Sequence, residues 1–167
     1  MMYNLVVYGS LLNPKELKKH GIDLSRVDTI KVKGFKRVFN QLPSWRKSNS
    51  IKKAVMNIED DNLAWFNAIV IKGLSKEYFD DLDKREIGYD RIPLKNGNVI
   101  NYKNDIIENC IIYRGKKDKQ SSKILPNPTY FDICLNGAKT YNEEFFNDYI
   151  YTTFQNDLNG NLTPIII

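Results

Sequence analysis

"NLVVYGSLLNPKELKKHG", residues 4–21, sets an apolar run directly against a short helix. The consecutive residues LVV are typical of a buried strand. The run breaks at the YGS turn, Tyr8, Gly9 and Ser10, and the Asn-Pro pair at 13–14 then predicts the start of a helix. A simple turn between strand and helix explains this pattern. A backbone cradle for the oxygen of a substrate explains it equally well.

The length and composition predict one globular domain. The chain has 167 residues, of which 42% are hydrophobic and 12% aromatic, and this size suits a single sizeable core. It contains no apolar segment long enough to span a membrane, and the N-terminal apolar run is too short for a signal peptide. The sequence therefore predicts a soluble, cytoplasmic protein without a membrane partner.

The cysteines and the single histidine restrict the chemistry. Cys110 and Cys134 show no motif spacing and lie in apolar surroundings, which favours reduced core thiols. His20 follows a lysine-rich helix, where it complements the negative end of that helix. Without a Cys partner or a local carboxylate cluster it makes a poor metal site. We therefore expect chemistry without a His base, a Cys nucleophile, a metal or a cofactor.

The positive charge admits an acidic partner without requiring one. The formal net charge is +5, and the basic residues are spread along the chain, with one modest concentration at 116–123. That segment is interpreted as a solvated loop, so nucleic-acid binding is not expected. The oligomeric state is left open.

The order of the predicted elements indicates an α+β domain. Strand signals lie at 30–40, 53–58, 65–72, 89–94, 99–102 and 106–113, and helix signals at 75–86, from 127 and from 142. Asp60-Asp61-Asn62 predicts a turn between two strands, and the Asn-Gly pair at 96–97 predicts a hairpin. A polar loop is expected at 41–50.

Glu86 occupies an unusual position on the helix predicted at 75–86. Phe79 and Leu82 belong to its apolar stripe, and Glu86 follows them by seven and four residues, on the core-facing side. Burial raises the pKa of a carboxyl group, which suits a proton shuttle near neutral pH. The alternative is a salt bridge from Glu86 to Arg85 or Arg91.

The YGS turn and Glu86 together suit one kind of reaction. Exposed backbone N–H groups stabilise an oxyanion, and a buried carboxylate carries a proton from an attacking group to a leaving group. This pair fits acyl transfer in which the substrate supplies its own nucleophile.

The sequence resembles the γ-glutamylcyclotransferases and their AIG2-like relatives. The resemblance rests on VVYGSLLNP, VKGFKRVFNQ, AVMNIEDDNLAWFNAIVIKGLS, YFDDLDKREIGYDRIPL and NPTYFDICLNGAKTYNEEFFNDYI, which occur in the family's order and spacing from about Tyr3 to Phe154. It implies a compact mixed β-barrel flanked by helices over residues 1–155, followed by a C-terminal tail, 156–167, of unknown role.

The resemblance also implies an activity and its residues. A γ-glutamyl compound would release pyroglutamate (5-oxoproline) and a free amino compound, with Glu86 as general base and acid. Tyr8, Gly9, Ser10 and Leu11 match the family's substrate loop, and the backbone N–H groups of the last three would hold the substrate's oxygens.

Two tyrosines are further candidates for the pocket. Tyr89 follows Glu86 at the family spacing and is either a pocket residue or a buried structural tyrosine, and Tyr130 is a candidate wall of the pocket. Arg91 either orients a carboxylate or forms a surface salt bridge. Some members carry Asn where this chain has Leu11, so their substrates are not transferred here. The alternative function is a module that binds a small metabolite on the same fold without turnover.

Overall fold

One curled sheet and four helices make up the computed structural model, which describes residues 1–43, 53–165 and 167. The strands are β1 (Met2–Val7), β2 (Val27–Gln41), β3 (Val55–Ser75), β4 (Tyr89–Pro93), β5 (Val99–Asn101), β6 (Cys110–Gly115), β7 (Thr153–Asn156) and β8 (Leu162–Pro164). The helices are α1 (Pro14–Lys19), α2 (Lys76–Arg85), α3 (Pro128–Lys139) and α4 (Glu143–Tyr151). No described helix has the length and apolar character needed to cross a membrane.

The sheet is mixed and open. Its strand order is β4-β6-β1-β3-β2-β7-β8, and β5 pairs with β2 off this path. β1 runs antiparallel to β3 and parallel to β6, and β7 runs parallel to β2. The predicted α+β class, with a mixed sheet flanked by helices, is confirmed. The sheet curls as a barrel does, but β4 and β8 remain as its two edges.

The end of β1 creates the space for a site. β1 stops at Val7, so its neighbours β3 and β6 continue without a strand between them. A side-chain amide bridges them there, because the Gly115 N–H donates to Asn57 Oδ1 at 2.7 Å. Asn57 in turn donates to Asn40 Oδ1 at 3.0 Å. These buried amides fix the two strands around a gap directly beyond β1.

The predicted turn at Asp60-Asp61-Asn62 is wrong. β3 runs through this segment as one strand, and both of its halves pair with β2. Lys33 pairs with Trp65 and Phe35 with Asp60, so a step of two residues on β2 matches a step of five on β3. The polar residues therefore form a bulge, which bends the strand without reversing it.

The predicted hairpin at Asn96-Gly97 is also wrong. The turn exists, and Gly97 adopts a left-handed φ of +92° that favours glycine. The strands on either side of it do not pair with each other, since β4 pairs with β6 and β5 pairs with β2. The turn carries the chain from one region of the sheet to another.

The helix starts agree with the sequence prediction. Each α-helix begins after a residue whose side chain accepts a hydrogen bond from a backbone N–H in the first turn, as expected of an N-cap. These capping residues are Asn13, Ser75, Asn127 and Asn142.

The end of the chain joins the sheet. β8 pairs antiparallel with β7, and Ile165 is buried in the core. The predicted boundary between residues 155 and 156 falls inside β7. Of the loop predicted at 41–50, residues 44–50 lie outside the described residues.

A fully buried arginine joins the sheet to the C-terminal helices. Arg37 on β2 has no exposed surface, and among the described residues it has no carboxylate partner. Its guanidinium donates to Tyr149 O at 2.8 Å, to Thr152 Oγ1 at 3.0 Å, to Thr153 Oγ1 at 2.9 Å and to both oxygens of Asn67. It also lies 3.7 Å from the centroid of the Tyr149 ring, so one charge holds β2, β3, β7 and α4 together.

We expect Arg37→Met to lower the free energy of unfolding by about 3 kcal/mol or more, because several buried acceptors lose their donor. Urea unfolding measures the change. Lys33→Met is the matched control on the exposed side of β2 and should change stability by less than about 0.5 kcal/mol. Equal effects of the two substitutions would contradict this account of Arg37.

Candidate active site

A cavity of about 100 Å³ lies in the gap at the end of β1. The cavity is lined by the seven residues that the sequence analysis proposed as catalytic or substrate-binding: Tyr8, Gly9, Ser10, Leu11, Glu86, Tyr89 and Tyr130. The remaining lining residues are Leu5, Val6, Val7, Met56, Leu82 and Tyr113. The structure therefore brings the YGS turn and Glu86 to one place, although 76 positions separate Ser10 from Glu86 in the sequence.

Glu86 is the C-cap of α2. Its backbone N–H donates to Leu82 O at 2.9 Å, which ends the helix with the carboxylate at the cavity. Burial raises the pKa of the Glu86 carboxyl above its ordinary value, and the positive charge of Arg85 partly opposes this rise. The pKa shift follows from desolvation, as the position on the apolar stripe predicts.

Arg85 and Arg91, the arginines near Glu86 in the sequence, contact other side chains. Arg91 forms ion pairs with Asp80 at 3.3 Å and Asp83 at 3.6 Å, and Arg85 contacts His20 Nδ1 at 3.1 Å. Within residues 1–43 and 53–165, no ion pair reaches Glu86. The alternative of a salt bridge from Glu86 to Arg85 or Arg91 is therefore wrong. The alternative of an Arg91 salt bridge is confirmed.

Four carbonyl groups of the loop after β1 accept hydrogen bonds from other groups of the protein. A 3-10 turn at Ser10–Leu12 follows Gly9. The carbonyls of Gly9 and Ser10 accept from the N–H groups of Leu12 and Asn13 within this turn. Two tyrosines supply the other donors: Tyr149 Oη of α4 donates to Tyr8 O at 3.0 Å, and Tyr141 Oη, in the turn between α3 and α4, donates to Leu12 O at 2.7 Å.

The N–H groups of the same loop are uncommitted. In the part of the chain that the structure describes, the N–H groups of Gly9, Ser10 and Leu11 have no acceptor. A partly buried N–H group needs a partner, and all three residues line the cavity. Three consecutive N–H groups of this kind can hold the oxygens of an anionic or developing-anionic ligand.

The close approach of Tyr130 requires a glycine at position 9. A Cβ atom added to Gly9 would collide with the Tyr130 hydroxyl oxygen, whereas the next ring atom, Cζ, would lie at an ordinary contact distance of 3.5 Å. Helix α3, which carries Tyr130, is anchored to the loop by Asn13, whose Nδ2 donates to Ile133 O at 2.9 Å. The predicted wall residue Tyr130 thus covers the loop directly.

Three of the cavity tyrosines are committed to structural hydrogen bonds. Tyr8 Oη donates to Tyr113 O at 2.6 Å, and Tyr113 Oη donates to Asp83 Oδ1 at 2.6 Å. Tyr89 Oη donates to Met56 O at 2.7 Å. Burial raises the pKa of all three hydroxyls, so they stay neutral at physiological pH. The Tyr130 hydroxyl donates to no oxygen or nitrogen atom of the described residues, and its hydrogen-bonding neighbour is the Cys134 thiol. It is therefore the cavity hydroxyl that is least committed.

Sequence reasoning missed six lining residues, of which Leu5, Val6 and Val7 were predicted only as part of a buried strand. Met56 and Tyr113 lie on β3 and β6, and they reach the cavity only because β1 ends between those strands. Leu82 was interpreted as a core residue, although the position of Glu86 on the same stripe was a signal that both face one cavity.

The cysteines and the basic segment lie apart from this chemistry. Cys110 and Cys134 are free and buried, and burial raises the pKa of both thiols to about 12, as expected of core thiols. Lys116 forms an ion pair with Asp90 at 3.1 Å. The described residues contain no group of three or more His, Cys, Asp or Glu side chains that could hold a metal ion.

Several solved structures resemble this chain. A γ-glutamyl cyclotransferase superposes with a TM-score of 0.67 at 20% identity, over 89% of this chain and 86% of that chain. An uncharacterized protein from Homo sapiens gives a TM-score of 0.65 at 20% identity, over 88% and 85%. A glutathione-specific γ-glutamyl cyclotransferase from yeast gives 0.57 at 11% identity, over 95% and 98%. No protein-family model and no curated protein matches the sequence.

These superpositions identify the fold. The curled mixed sheet with its four helices is the γ-glutamyl cyclotransferase fold, and the resemblance seen in the sequence is confirmed at that level. Identities of 20% and below leave the substrate and the roles of individual residues to be argued from the site itself.

We expect Gly9→Ala to lower the free energy of unfolding by about 1–3 kcal/mol, because the new methyl group displaces the Tyr130 hydroxyl. Tyr130→Phe removes that oxygen and should be nearly neutral alone. The double variant Gly9→Ala/Tyr130→Phe should recover most of the loss, with a coupling free energy of about 1 kcal/mol or more. Additive effects in urea unfolding would show that the two residues do not meet.

We expect Glu86→Gln to stabilise the fold at pH 7. The folded pKa of Glu86 lies above the unfolded value, so the folded state binds more protons between the two and stability falls as the pH rises. The gain from Gln should therefore vanish as the pH falls below about 4.3, the ordinary pKa of Glu. Thermal unfolding from pH 4 to 8 measures this, with Glu77→Gln on the first turn of α2 as the control. A stability gain that does not depend on pH would contradict the buried carboxylate.

Proposed function

We propose that this protein is a γ-glutamylcyclotransferase-type enzyme that releases pyroglutamate and a free amino compound from a γ-glutamyl substrate. The proposal rests on one juxtaposition: a partly buried carboxylate with a raised pKa and three uncommitted backbone N–H groups line the same cavity. The γ-glutamyl cyclotransferase fold supports the same reaction class.

The first step is the attack of the substrate's α-amine on its own γ-carbonyl carbon. The amine attacks in its neutral form, and Glu86 accepts a proton from its nitrogen as the new C–N bond forms, so that the ring nitrogen carries no extra proton in the tetrahedral intermediate. The reaction closes a five-membered ring and needs no second molecule. Because the nucleophile and the electrophile belong to one substrate, a pocket that holds the folded conformer lowers the barrier by several kcal/mol.

The loop stabilises the charge that this attack creates. Negative charge develops on the γ-carbonyl oxygen, and the N–H groups of Gly9, Ser10 and Leu11 are the donors for it. Their carbonyls are already fixed, through Tyr149 and the 3-10 turn. The donors are therefore preorganised, and their orientation costs no free energy during the reaction.

The second step breaks the original amide bond. Glu86, now protonated, donates its proton to the departing nitrogen as the tetrahedral intermediate collapses. One carboxyl group thus serves as base and then as acid, and it ends the cycle as the carboxylate. A raised pKa suits this double role, because a carboxyl group whose pKa lies closer to neutral pH can both accept and donate a proton there.

The cavity walls limit what this site accepts. Apolar side chains from β1, Met56 and the rings of Tyr89 and Tyr113 line the cavity. A bound substrate that displaces water from this surface would strengthen the hydrogen bonds to the oxyanion. The Tyr130 hydroxyl, which has no oxygen or nitrogen acceptor among the described residues, is the side-chain donor that a substrate carboxylate or carbonyl would meet.

The test is pyroglutamate release from a panel of γ-glutamyl amino acids, γ-glutamyl amines and glutathione. We expect Glu86→Gln to lower kcat by at least about a hundredfold while the substrate still binds, because the amide cannot accept the proton. Glu77→Gln, on the exposed first turn of the same helix, should keep the wild-type rate.

Two outcomes would contradict the proposal. Wild-type turnover in Glu86→Gln would remove Glu86 from the mechanism. Binding of a panel compound by the wild type without any pyroglutamate release would favour the alternative, a module that binds a small metabolite without turning it over. Calorimetry on the same panel distinguishes this case from the absence of any binding.

A further inference from the structure

Two clefts lead out of the cavity, and Arg85 borders both. The first cleft is also lined by Glu16, His20 and Tyr78, and the second by Pro43, Val55 and Ile87. Ser10 and Glu86 line both clefts as well. The group that leaves a substrate held at Ser10 and Glu86 must extend into one of these clefts. In either direction it passes Arg85.

Arg85 forms no ion pair within residues 1–43 and 53–165, although its charge acts on the adjacent Glu86 carboxyl. Its guanidinium is exposed. The sequence SWRKSNSIK at 44–52 contains no Asp or Glu. The acidic residues that line the first cleft are Glu86 and Glu16, and Glu16 is paired with Lys19 at 3.0 Å.

His20 orients the guanidinium. Arg85 Nη1 lies 3.1 Å from His20 Nδ1, and because arginine can only donate, this contact is a hydrogen bond in the tautomer whose Nδ1 carries no proton. The contact holds one nitrogen of Arg85 at the cleft and leaves the other donors of the guanidinium for a ligand. Lys84, on the same turn of α2, is instead paired with Asp81 at 3.5 Å.

A guanidinium that lies at the mouth of the cavity and forms no ion pair among the described residues is suited to a carboxylate. Arginine binds carboxylates with two parallel hydrogen bonds, a geometry that lysine cannot reproduce. When the leaving group is an amino acid, its carboxylate is attached to the carbon atom that bears the departing nitrogen, the nitrogen that Glu86 protonates. A leaving group that is a simple amine carries no carboxylate that Arg85 could bind.

We propose that Arg85 selects substrates whose leaving group carries a carboxylate, so that γ-glutamyl amino acids are preferred to γ-glutamyl amines. This inference rests on the proposed function, because it assigns the second half of that substrate. Arg85 acts as a specificity-determining residue, and Glu86 carries out the proton transfers.

The test compares γ-glutamylalanine with γ-glutamylethylamide, which differ only by the leaving-group carboxylate. We expect the wild type to prefer γ-glutamylalanine by about tenfold or more in kcat/KM, as a charge-assisted bidentate contact provides. Arg85→Gln should bring the ratio of the two kcat/KM values close to one. The ratio cancels any effect of Arg85 on the pKa of Glu86, because both substrates use the same carboxylate.

Lys84→Gln is the matched control, since it removes one positive charge from the same helical turn and should keep the wild-type preference. A wild type without preference, or an unchanged ratio in Arg85→Gln, would overturn the inference. If neither compound released pyroglutamate, the proposed function would fail on its own. Calorimetry would then decide the inference: weaker binding of γ-glutamylalanine alone in Arg85→Gln supports it, and equal binding of both compounds, or none, overturns it.

Discussion

The buried guanidinium of Arg37 is the constraint on which the arrangement depends. A charge with no exposed surface must be surrounded by acceptors, and here β3, β7 and α4 supply them. The same group packs against the Tyr149 ring, and the Tyr149 hydroxyl fixes the Tyr8 carbonyl at the end of β1. The interaction that joins the sheet to the helices therefore also helps to fix the position of the loop after β1.

The two halves of the site are supported from opposite sides. Tyr149 of α4 and Tyr141, in the turn between α3 and α4, bind carbonyls of the loop after β1, and the N–H groups of Gly9, Ser10 and Leu11 are unpaired among the described residues. Helix α2 ends on the other side and presents Glu86 at its last turn. Tyr113 links the two halves, because its carbonyl accepts a hydrogen bond from Tyr8 Oη and its hydroxyl donates to Asp83 of α2. Supports of this kind suit a site that is preorganised before a ligand binds.

Local patterns predicted what depends on neighbours in the sequence. The four helix caps and the core-facing position of Glu86 follow from spacing alone, and they were correct. The continuous β3 strand was not predicted, because the three polar residues of a bulge have the composition of a turn. The burial of Arg37 was not predicted either. Both faces of β2 are buried at this end of the strand, so the alternation of exposed and buried residues that usually identifies the inward-facing side chains is absent. Tyr113 enters the cavity only through the strand order, which pairs residues far apart in the chain.

The origin of the loop's support has a consequence for how the protein acquires its site during synthesis. Residues 8–12 are synthesised before Tyr141 and Tyr149, which hold their carbonyls and follow 129 and 141 positions later. Contacts of such separation form late, because the intervening chain must first be ordered. The nascent chain thus carries the residues of this loop long before α4, and the support of their carbonyls is complete only when α4 docks. A chain that stopped before α4 would contain every residue proposed to act on the substrate and would lack the support that makes them a site.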